Sequence, residues 1–163
     1  MFERYTDRAR KVMAFANRKA KRLSHEFLNT EHMLWGLVEE GAGVGAYVLK
    51  NLDVDFGKVR WQLEKRFKYE PERVLARKLP QTPLSKKVIE CALEECRELG
   101  HNYCGTEHML LGLMRVDRGV AYEVLLRVFN LRLEEVRAEV LDVLWRSASG
   151  ADSDADADPK SGS

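Results

Sequence analysis

The sequence lacks any long hydrophobic run. No stretch approaches the ~18 apolar residues that a membrane-spanning helix needs, and the charged N-terminal segment contains no apolar signal core. Neither sign of charge is in excess, because 26 acidic residues nearly cancel 27 basic ones. The overall charge therefore gives no attraction toward nucleic acid or an anionic membrane. We expect a cytoplasmic protein with no membrane and no nucleic-acid partner.

Cysteines are few, and nucleotide-binding motifs are missing. Cys91, Cys96 and Cys104 have no CxxC spacing, which indicates reduced thiols more than a disulfide framework. The P-loop pattern G-x-x-x-x-G-K-[ST], whose backbone N–H groups cradle phosphates, does not occur. The glycine-rich stretch 41–46 follows a helical pattern and not a strand, so it indicates a helix end and restart. We expect no enzyme activity and no cofactor.

An internal repeat is the strongest feature of the sequence. Residues 23–38 align with residues 99–114 at nine of sixteen identical positions, and Thr30-Glu31-His32 recurs 76 residues later as Thr106-Glu107-His108. Each copy is preceded by apolar residues at helical spacing, among them Ala16 and Ala92, which we predict to occupy equivalent core sites. Thr6 and Thr82 precede these runs as predicted N-caps, and Pro83 suits a first helical position.

The rest of each repeat also shows helical periodicity. Each Thr-Glu-His is followed by a short apolar helix that we predict to end near Gly41 or Gly119, and then by two more helices. The offset grows to 77 at the fourth helix, which predicts a one-residue insertion in the preceding loop. No alternating β pattern occurs. The prediction is an all-α fold of eight helices, in two four-helix repeats related by a pseudo-twofold axis.

Composition divides the chain into a folded part and a tail. We predict a double-repeat domain over residues 1–147, with repeat one at about 2–68, a polar linker at about 69–81 and repeat two at about 82–147. Val74 and Leu75 of the linker are candidates for packing. Residues 148–163 are rich in Ser, Ala and Asp and contain nothing large and apolar, which predicts a disordered acidic tail.

The repeated string Gly-His-x-x-x-Gly-Thr-Glu-His-(hydrophobic)-Leu-x-Gly-Leu resembles the N-terminal domain of Clp/Hsp100 protein-unfolding ATPases, closest to the ClpC-type branch. The start Phe2-Glu-Arg-Tyr-Thr-Asp-Arg-Ala9 is similar as well, and the resemblance covers residues 2 to about 146. Ser24 and Asn29 replace the usual glycines of the first copy. Because no P-loop is present, the chain resembles free-standing Clp N-domain proteins without the ATPase modules.

The resemblance implies a protein-binding role in the Clp proteolysis system. The implied partners are substrates, adaptors, Clp ATPase or Clp protease subunits, and proteins that carry phosphoarginine. A structural accessory subunit that docks on the Clp core without recognising a tag is the alternative. An enzyme is not predicted, because the sequence contains no catalytic constellation.

Thr30-Glu31 and Thr106-Glu107 are the candidate ligand-binding residues. A threonine N-cap followed by a first-turn carboxylate has a purely structural explanation, because both stabilise a helix start. An exposed glutamate there also suits a guanidinium, and the free N–H groups of a helix start suit a phosphate. Phosphoarginine carries both groups. Because Asn29 replaces the glycine equivalent to Gly105, we expect the second site to bind more tightly.

The four histidines do not predict a metal site. His25 and His32, like His101 and His108, are seven residues apart, which is not the i, i+4 spacing that brings two ligands to one metal. Packed or hydrogen-bonded histidines are the preferred interpretation. Cys104 and His108 are four apart, but Cys104 is expected before the helix start, so a catalytic thiolate–imidazole pair is not predicted.

Overall fold

The computed structural model describes residues 4–149, so the predicted disorder of the tail falls almost entirely outside the described residues. Within that range all regular structure is helical, which confirms the all-α fold. The eight helices are α1 (Asp7–Arg22), α2 (Thr30–Glu40), α3 (Val44–Asn51), α4 (Phe56–Arg66), α5 (Pro83–Glu98), α6 (Thr106–Arg115), α7 (Val120–Glu123) and α8 (Leu133–Ala148). Since α8 reaches Ala148, it extends one residue beyond the domain end predicted at 147.

The first helix of each repeat begins as its sequence predicts. The Thr6 hydroxyl accepts a hydrogen bond from Ala9 N at 3.1 Å, and the Thr82 hydroxyl accepts one from Ser85 N at 3.1 Å. Pro83 occupies the first turn of α5, where its missing N–H leaves no helical hydrogen bond unmade. The predicted caps of α1 and α5 are therefore confirmed.

Small residues set the closest helix contacts of the fold. In repeat one, α1 crosses α2 where Gly36 faces the backbone of Val12 and Ala16. In repeat two, Gly112 faces Val88 and Ala92 in the same way. Ala16 and Ala92 are both buried, so their predicted equivalence is confirmed. These contacts fix the position of the starts of α2 and α6, where the motif residues lie.

The one-residue insertion lies in a helix and not in the following loop. α7 continues without a break into a π-helical segment, Val124–Val128, so the third helix of repeat two has nine residues where α3 has eight. A π-turn inserts one residue into an α-helix while the flanking residues keep their places. Leu49 and Leu125 accordingly remain equivalent and buried, and the offset becomes 77 only beyond them. The predicted loop insertion is wrong.

Glycine ends only one of the two second helices. Gly41 closes α2 in the left-handed conformation at φ 68°, as predicted. In repeat two the equivalent left-handed residue is Asp117, at φ 57°, and Gly119 instead precedes α7 at φ 96°. The prediction for Gly119 is therefore wrong, because an aspartate tolerates the left-handed conformation well enough to replace glycine there.

The segment before each first helix is held by the opposite repeat. Leu28 N donates to Pro80 O at 2.8 Å and Thr82 N donates to Leu28 O at 2.9 Å. In the same pattern, Cys104 N donates to Arg4 O at 2.7 Å, and Cys104 O accepts from Thr6 N at 3.0 Å. The linker is thus tied down near its end.

The middle of the linker is different. Val74 is fully exposed, so it does not pack as the sequence had suggested.

Candidate functional site

The starts of α2 and α6 are capped by a histidine and not by the threonines. The N-cap residues are Asn29 and Gly105, and their N–H groups donate to Nδ1 of His32 and His108, both at 2.9 Å. Histidine thus takes the part that glutamate or glutamine plays in the usual capping box. The prediction that Thr30 caps its own helix is wrong, and so is the same prediction for Thr106.

The two threonine hydroxyls instead cap helices of the opposite repeat. Thr106 Oγ1 accepts a hydrogen bond from Gly45 N at 2.8 Å, in the first turn of α3. Thr30 Oγ1 accepts one from Ala121 N at 3.5 Å, in the first turn of α7. Both threonines are buried. Their role as ligand-binding residues stays a prediction, and this burial counts against it.

Each capping histidine is hydrogen-bonded to a second histidine. His32 Nδ1 accepts from the backbone, so its proton lies on Nε2, which donates to His25 Nδ1 at 2.8 Å. His25 Nε2–H then donates to the Lys68 carbonyl. His108 and His101 are joined in the same way at 2.8 Å. The interpretation of hydrogen-bonded histidines is therefore confirmed.

Burial fixes the protonation of the first of these pairs. Removal from water, followed by the nearby His25 and Lys19, lowers the pKa of His32 to about 3. A neutral ring is also what the cap requires, because a proton on Nδ1 would oppose the Asn29 N–H. His32 is therefore a structural group that depends on staying neutral.

Glu31 lies beside this pair at the edge of an open cavity. The cavity has a volume of about 320 Å³ and is bounded by the loop before α2, the linker and the start of α5. Glu31 is half-buried, and its Oε1 atom is covered without a hydrogen-bond partner among the described residues. Burial raises the pKa of Glu31, and this effect is partly offset by its own backbone N–H, by His25 and by a hydrogen bond from the Thr30 side chain. Glu31 thus lines the cavity with one carboxylate oxygen that has no hydrogen-bond partner among the described residues.

The charges around this cavity favour a cation at Glu31. Three carboxylates line it, those of Glu26, Glu31 and Glu70, against one guanidinium, that of Arg73. Arg73 is itself paired with Glu26 at the surface. The Glu31 end is therefore acidic, while Arg73, paired with Glu26, is the guanidinium that lines the linker side of the cavity.

The equivalent site in repeat two is closed. The hydroxyl of Tyr103 donates to Glu107 Oε2 at 3.2 Å, and the Tyr103 ring stacks on His101 with centroids 5.0 Å apart. Glu107 is 0% exposed, so the predicted exposure of this residue is wrong. Phe27, the counterpart of Tyr103, is 50% exposed and has no hydroxyl to offer Glu31. The two motif copies thus have the same backbone arrangement, but Glu31 borders an open cavity whereas Glu107 is covered.

The sequence prediction found Glu31 but missed the residues that decide its access. Tyr103 and Phe27 align in the repeat, yet nothing in their spacing says which aromatic folds over its glutamate. Arg73 falls within the predicted linker, and its distance from the motif along the chain hides their proximity. The aromatic substitution at this position, tyrosine for phenylalanine, was the one available signal.

Trp35, which replaces the leucine of the second repeat, is part of a packed cluster. Lys19 Nζ lies 3.8 Å from the centre of its ring, and Phe67 meets it edge-on at 5.9 Å. It is half-buried and packs against the hydrophobic core. No helix in the described part of the chain is long and apolar enough to cross a membrane.

Comparison with known proteins identifies the fold and its relatives. The Clp repeat (R) N-terminal domain family matches residues 4–128. The ATP-dependent Clp protease ATP-binding subunit ClpA homolog of Porphyra purpurea is 45% identical over 148 residues, which are 91% of this chain and 18% of that protein. The chain thus spans about a fifth of the length of this relative.

Solved structures of Clp N-domains have the same fold as this chain. The N-terminal domain of the chaperone ClpD from Arabidopsis thaliana superposes with a TM-score of 0.71 at 27% identity, covering 89% of this chain and 97% of that one. A ClpV N-domain in complex with a VipB peptide has a TM-score of 0.57 at 17% identity, over 81% of this chain and 88% of that one. This second likeness carries the fold alone.

Proposed function

Since the chain belongs to the Clp repeat (R) N-terminal domain family, we propose that it is a non-catalytic protein-binding module of the Clp proteolysis system. Its partners are substrates, adaptors or subunits of a Clp ATPase or protease. The ClpV N-domain solved with a VipB peptide is a precedent for peptide binding by this fold. No catalytic group is needed for that role.

The observation that carries the proposal is the Glu31 carboxylate. Its Oε1 atom is shielded from water and lacks a hydrogen-bond partner among the described residues, while the cavity beside it is open to solvent. A buried acceptor in this state gains a full charge-assisted hydrogen bond when a donor arrives. A guanidinium offers two parallel N–H groups at the spacing of a carboxylate. The ligand we propose is therefore an arginine-derived group on a partner protein.

Phosphoarginine fits this cavity better than plain arginine. Glu31 would receive the guanidinium, and Arg73 would turn from Glu26 to the phosphate, which is the stronger acceptor for a bidentate guanidinium. The cavity of about 320 Å³ is in the size range of small-ligand sites. We propose no direct ligand contact for the Thr30 hydroxyl, because it is buried and accepts a hydrogen bond from Ala121 N of the other repeat.

We propose that only the first repeat binds such a ligand in the resting protein. The sequence favoured the second site, because Gly105 leaves more room than Asn29. The closed geometry at Glu107 argues for the opposite order, since Tyr103 already occupies the donor position beside that carboxylate. The backbone space gained by a glycine does not help when a side chain fills the approach.

Replacing Glu31 with glutamine is expected to weaken phosphoarginine binding by roughly 10- to 150-fold. The substitution keeps the shape but removes the charge from a bidentate pair, a loss of about 1.5–3 kcal/mol. Isothermal titration calorimetry with phosphoarginine, arginine and inorganic phosphate measures it. We expect one site per chain and the weakest binding for phosphate.

The matched control is Glu107→Gln, the same change in the other repeat. The affinity of the Glu107→Gln variant for phosphoarginine should equal that of the parent protein. Loss of half the sites in each single variant would show two open sites and contradict the asymmetry. No heat at millimolar phosphoarginine would end the phosphoarginine proposal and favour a module that docks on the Clp core without reading a tag.

A further inference from the structure

Two buried cysteines lie side by side in repeat two. Cys96 is in the last turns of α5, and Cys104 immediately precedes Gly105, the N-cap of α6. Their sulfur atoms and a ring nitrogen of His108 all lie within 4.8 Å of one another. Both cysteines are free thiols with no solvent exposure.

Repeat one shows what this place needs for structure alone. The equivalents of Cys96 and Cys104 are Ala20 and Leu28, both buried, and the equivalent of His108 is His32 with the same hydrogen bonds. The imidazole is therefore part of the common framework. The two thiols are additions to one repeat, and packing does not require them.

A metal ion is a poor occupant of this cluster. His108 Nδ1 accepts from Gly105 N, so its proton lies on Nε2, which donates to His101. Coordination needs a free ring lone pair, and taking one from Nδ1 would cost the cap of α6. Two sulfur ligands alone do not make the four-coordinate site that Zn²⁺ prefers. The chemistry that remains is that of the thiol pair.

We propose that Cys96 and Cys104 form a reversible intramolecular disulfide when the protein meets a small two-electron oxidant such as hydrogen peroxide. The Cys96 thiolate attacks the peroxide, giving a sulfenic acid and hydroxide. The Cys104 thiol then attacks the sulfenic sulfur, forming the S–S bond and releasing water. A dithiol reductant returns both thiols.

The surroundings support Cys96 as the attacking group. A hydrogen bond from the Cys104 thiol lowers the pKa of Cys96 despite its burial. The hydrogen bond to Cys96, followed by burial, raises the pKa of Cys104, which keeps its proton. Because neither sulfur is exposed, the oxidant reaches them during local opening of the segment 97–103.

The disulfide would close the base of this same segment. Residues 97–103 carry both His101 and Tyr103, and the backbone of Cys104 also holds Arg4 and Thr6. Oxidation would therefore tie the end of α5 to the anchor of the N-terminal segment. It would restrict the motion of residues 97–103, which cover Glu107. This effect does not depend on which ligand the first repeat binds.

Peroxide treatment of the reduced protein tests this. We expect a mass loss of two hydrogens, one remaining alkylatable thiol at Cys91, and a Cys96–Cys104 cross-linked peptide after digestion. The melting temperature should rise by about 5 °C, as expected for closing a short loop in a chain of this size. Dithiothreitol should reverse all of these changes.

Variants copied from repeat one provide the controls. Cys96→Ala and Cys104→Leu introduce the residues found at Ala20 and Leu28, so both should fold, and both should lose the mass change and the thermal shift. Cys91→Ala should keep them. Three alkylatable thiols after peroxide, or oxidation of Cys96 to a sulfinic acid, would overturn the proposal. Zn²⁺ copurifying with the parent and lost in both variants would assign the cluster to a metal instead.

Discussion

Replacing Gly36 with alanine is expected to lower the free energy of unfolding by about 3 kcal/mol or more. An added Cβ would lie 2.2 Å from Val12 O and 3.1 Å from Ala16 N, and both are backbone atoms of α1. Neither can move aside without shifting the whole helix. Helix propensity alone predicts the opposite, since alanine in a helix interior is more favourable than glycine by about 1 kcal/mol. The sign of the change in unfolding free energy therefore shows whether the clash with α1 or the helix propensity of alanine dominates at this position.

Urea denaturation monitored by circular dichroism measures this change in the free energy of unfolding. Gly112→Ala repeats the test in repeat two, where the new Cβ would lie 2.5 Å from Val88 O. Gly57→Ala is the control, because Gly57 is exposed on α4 and should change stability by less than about 1 kcal/mol. A Gly36→Ala protein as stable as the parent would mean that α1 and α2 are not in such close contact.

Acid should destabilise the fold through His32. Its pKa is about 3 in the folded protein and 6.5 when exposed, so between these values the unfolded chain binds one more proton. Stability is thus fully present above pH 6.5 and declines as the pH falls toward 3. From pH 7.5 to 4.5 we expect a loss of roughly 2–3 kcal/mol from this residue. Glu31 acts in the opposite direction, because its raised pKa lets the folded protein take up a proton.

His32→Gln isolates this effect. Glutamine at the third helical position can accept the Asn29 N–H as in an ordinary capping box, but it does not titrate. The difference in unfolding free energy between the parent and the variant, measured by urea denaturation at several pH values, should shrink as the pH falls. A difference that stays constant from pH 7.5 to 4.5 would contradict the buried neutral histidine. Using the Glu31→Gln background removes the opposing carboxylate.

The helical framework was predictable because it depends on local patterns. The repeat aligned Ala16 with Ala92, and Thr6 and Thr82 marked helix starts through contacts only three residues away. The π-helical turn at Val124–Val128 was not predictable, because an extra residue has the same sequence signature in a loop and in a helix. Only packing decides that Leu125 stays buried while the following residues absorb the insertion.

The site was only half predictable for a related reason. Glu31 and Glu107 were correctly identified as equivalent first-turn residues, since the repeat aligns them. Whether each is accessible depends on Tyr103 and Phe27, and on how far each aromatic folds inward. The threonine hydroxyls were misassigned because their partners, such as Gly45 for Thr106, lie in the other repeat. Sequence spacing describes a residue's own helix and carries no information about a neighbour that far away.

The exchange of threonine hydroxyls also bears on how such a chain could have arisen by duplication. A lone ancestral repeat would have left the start of its own third helix uncapped, because the group that caps it belongs to the other copy. Two identical copies around a twofold axis would have satisfied each other reciprocally. In this chain each half therefore depends on the other for capping at these helix starts, while the side chains around the two glutamates differ independently.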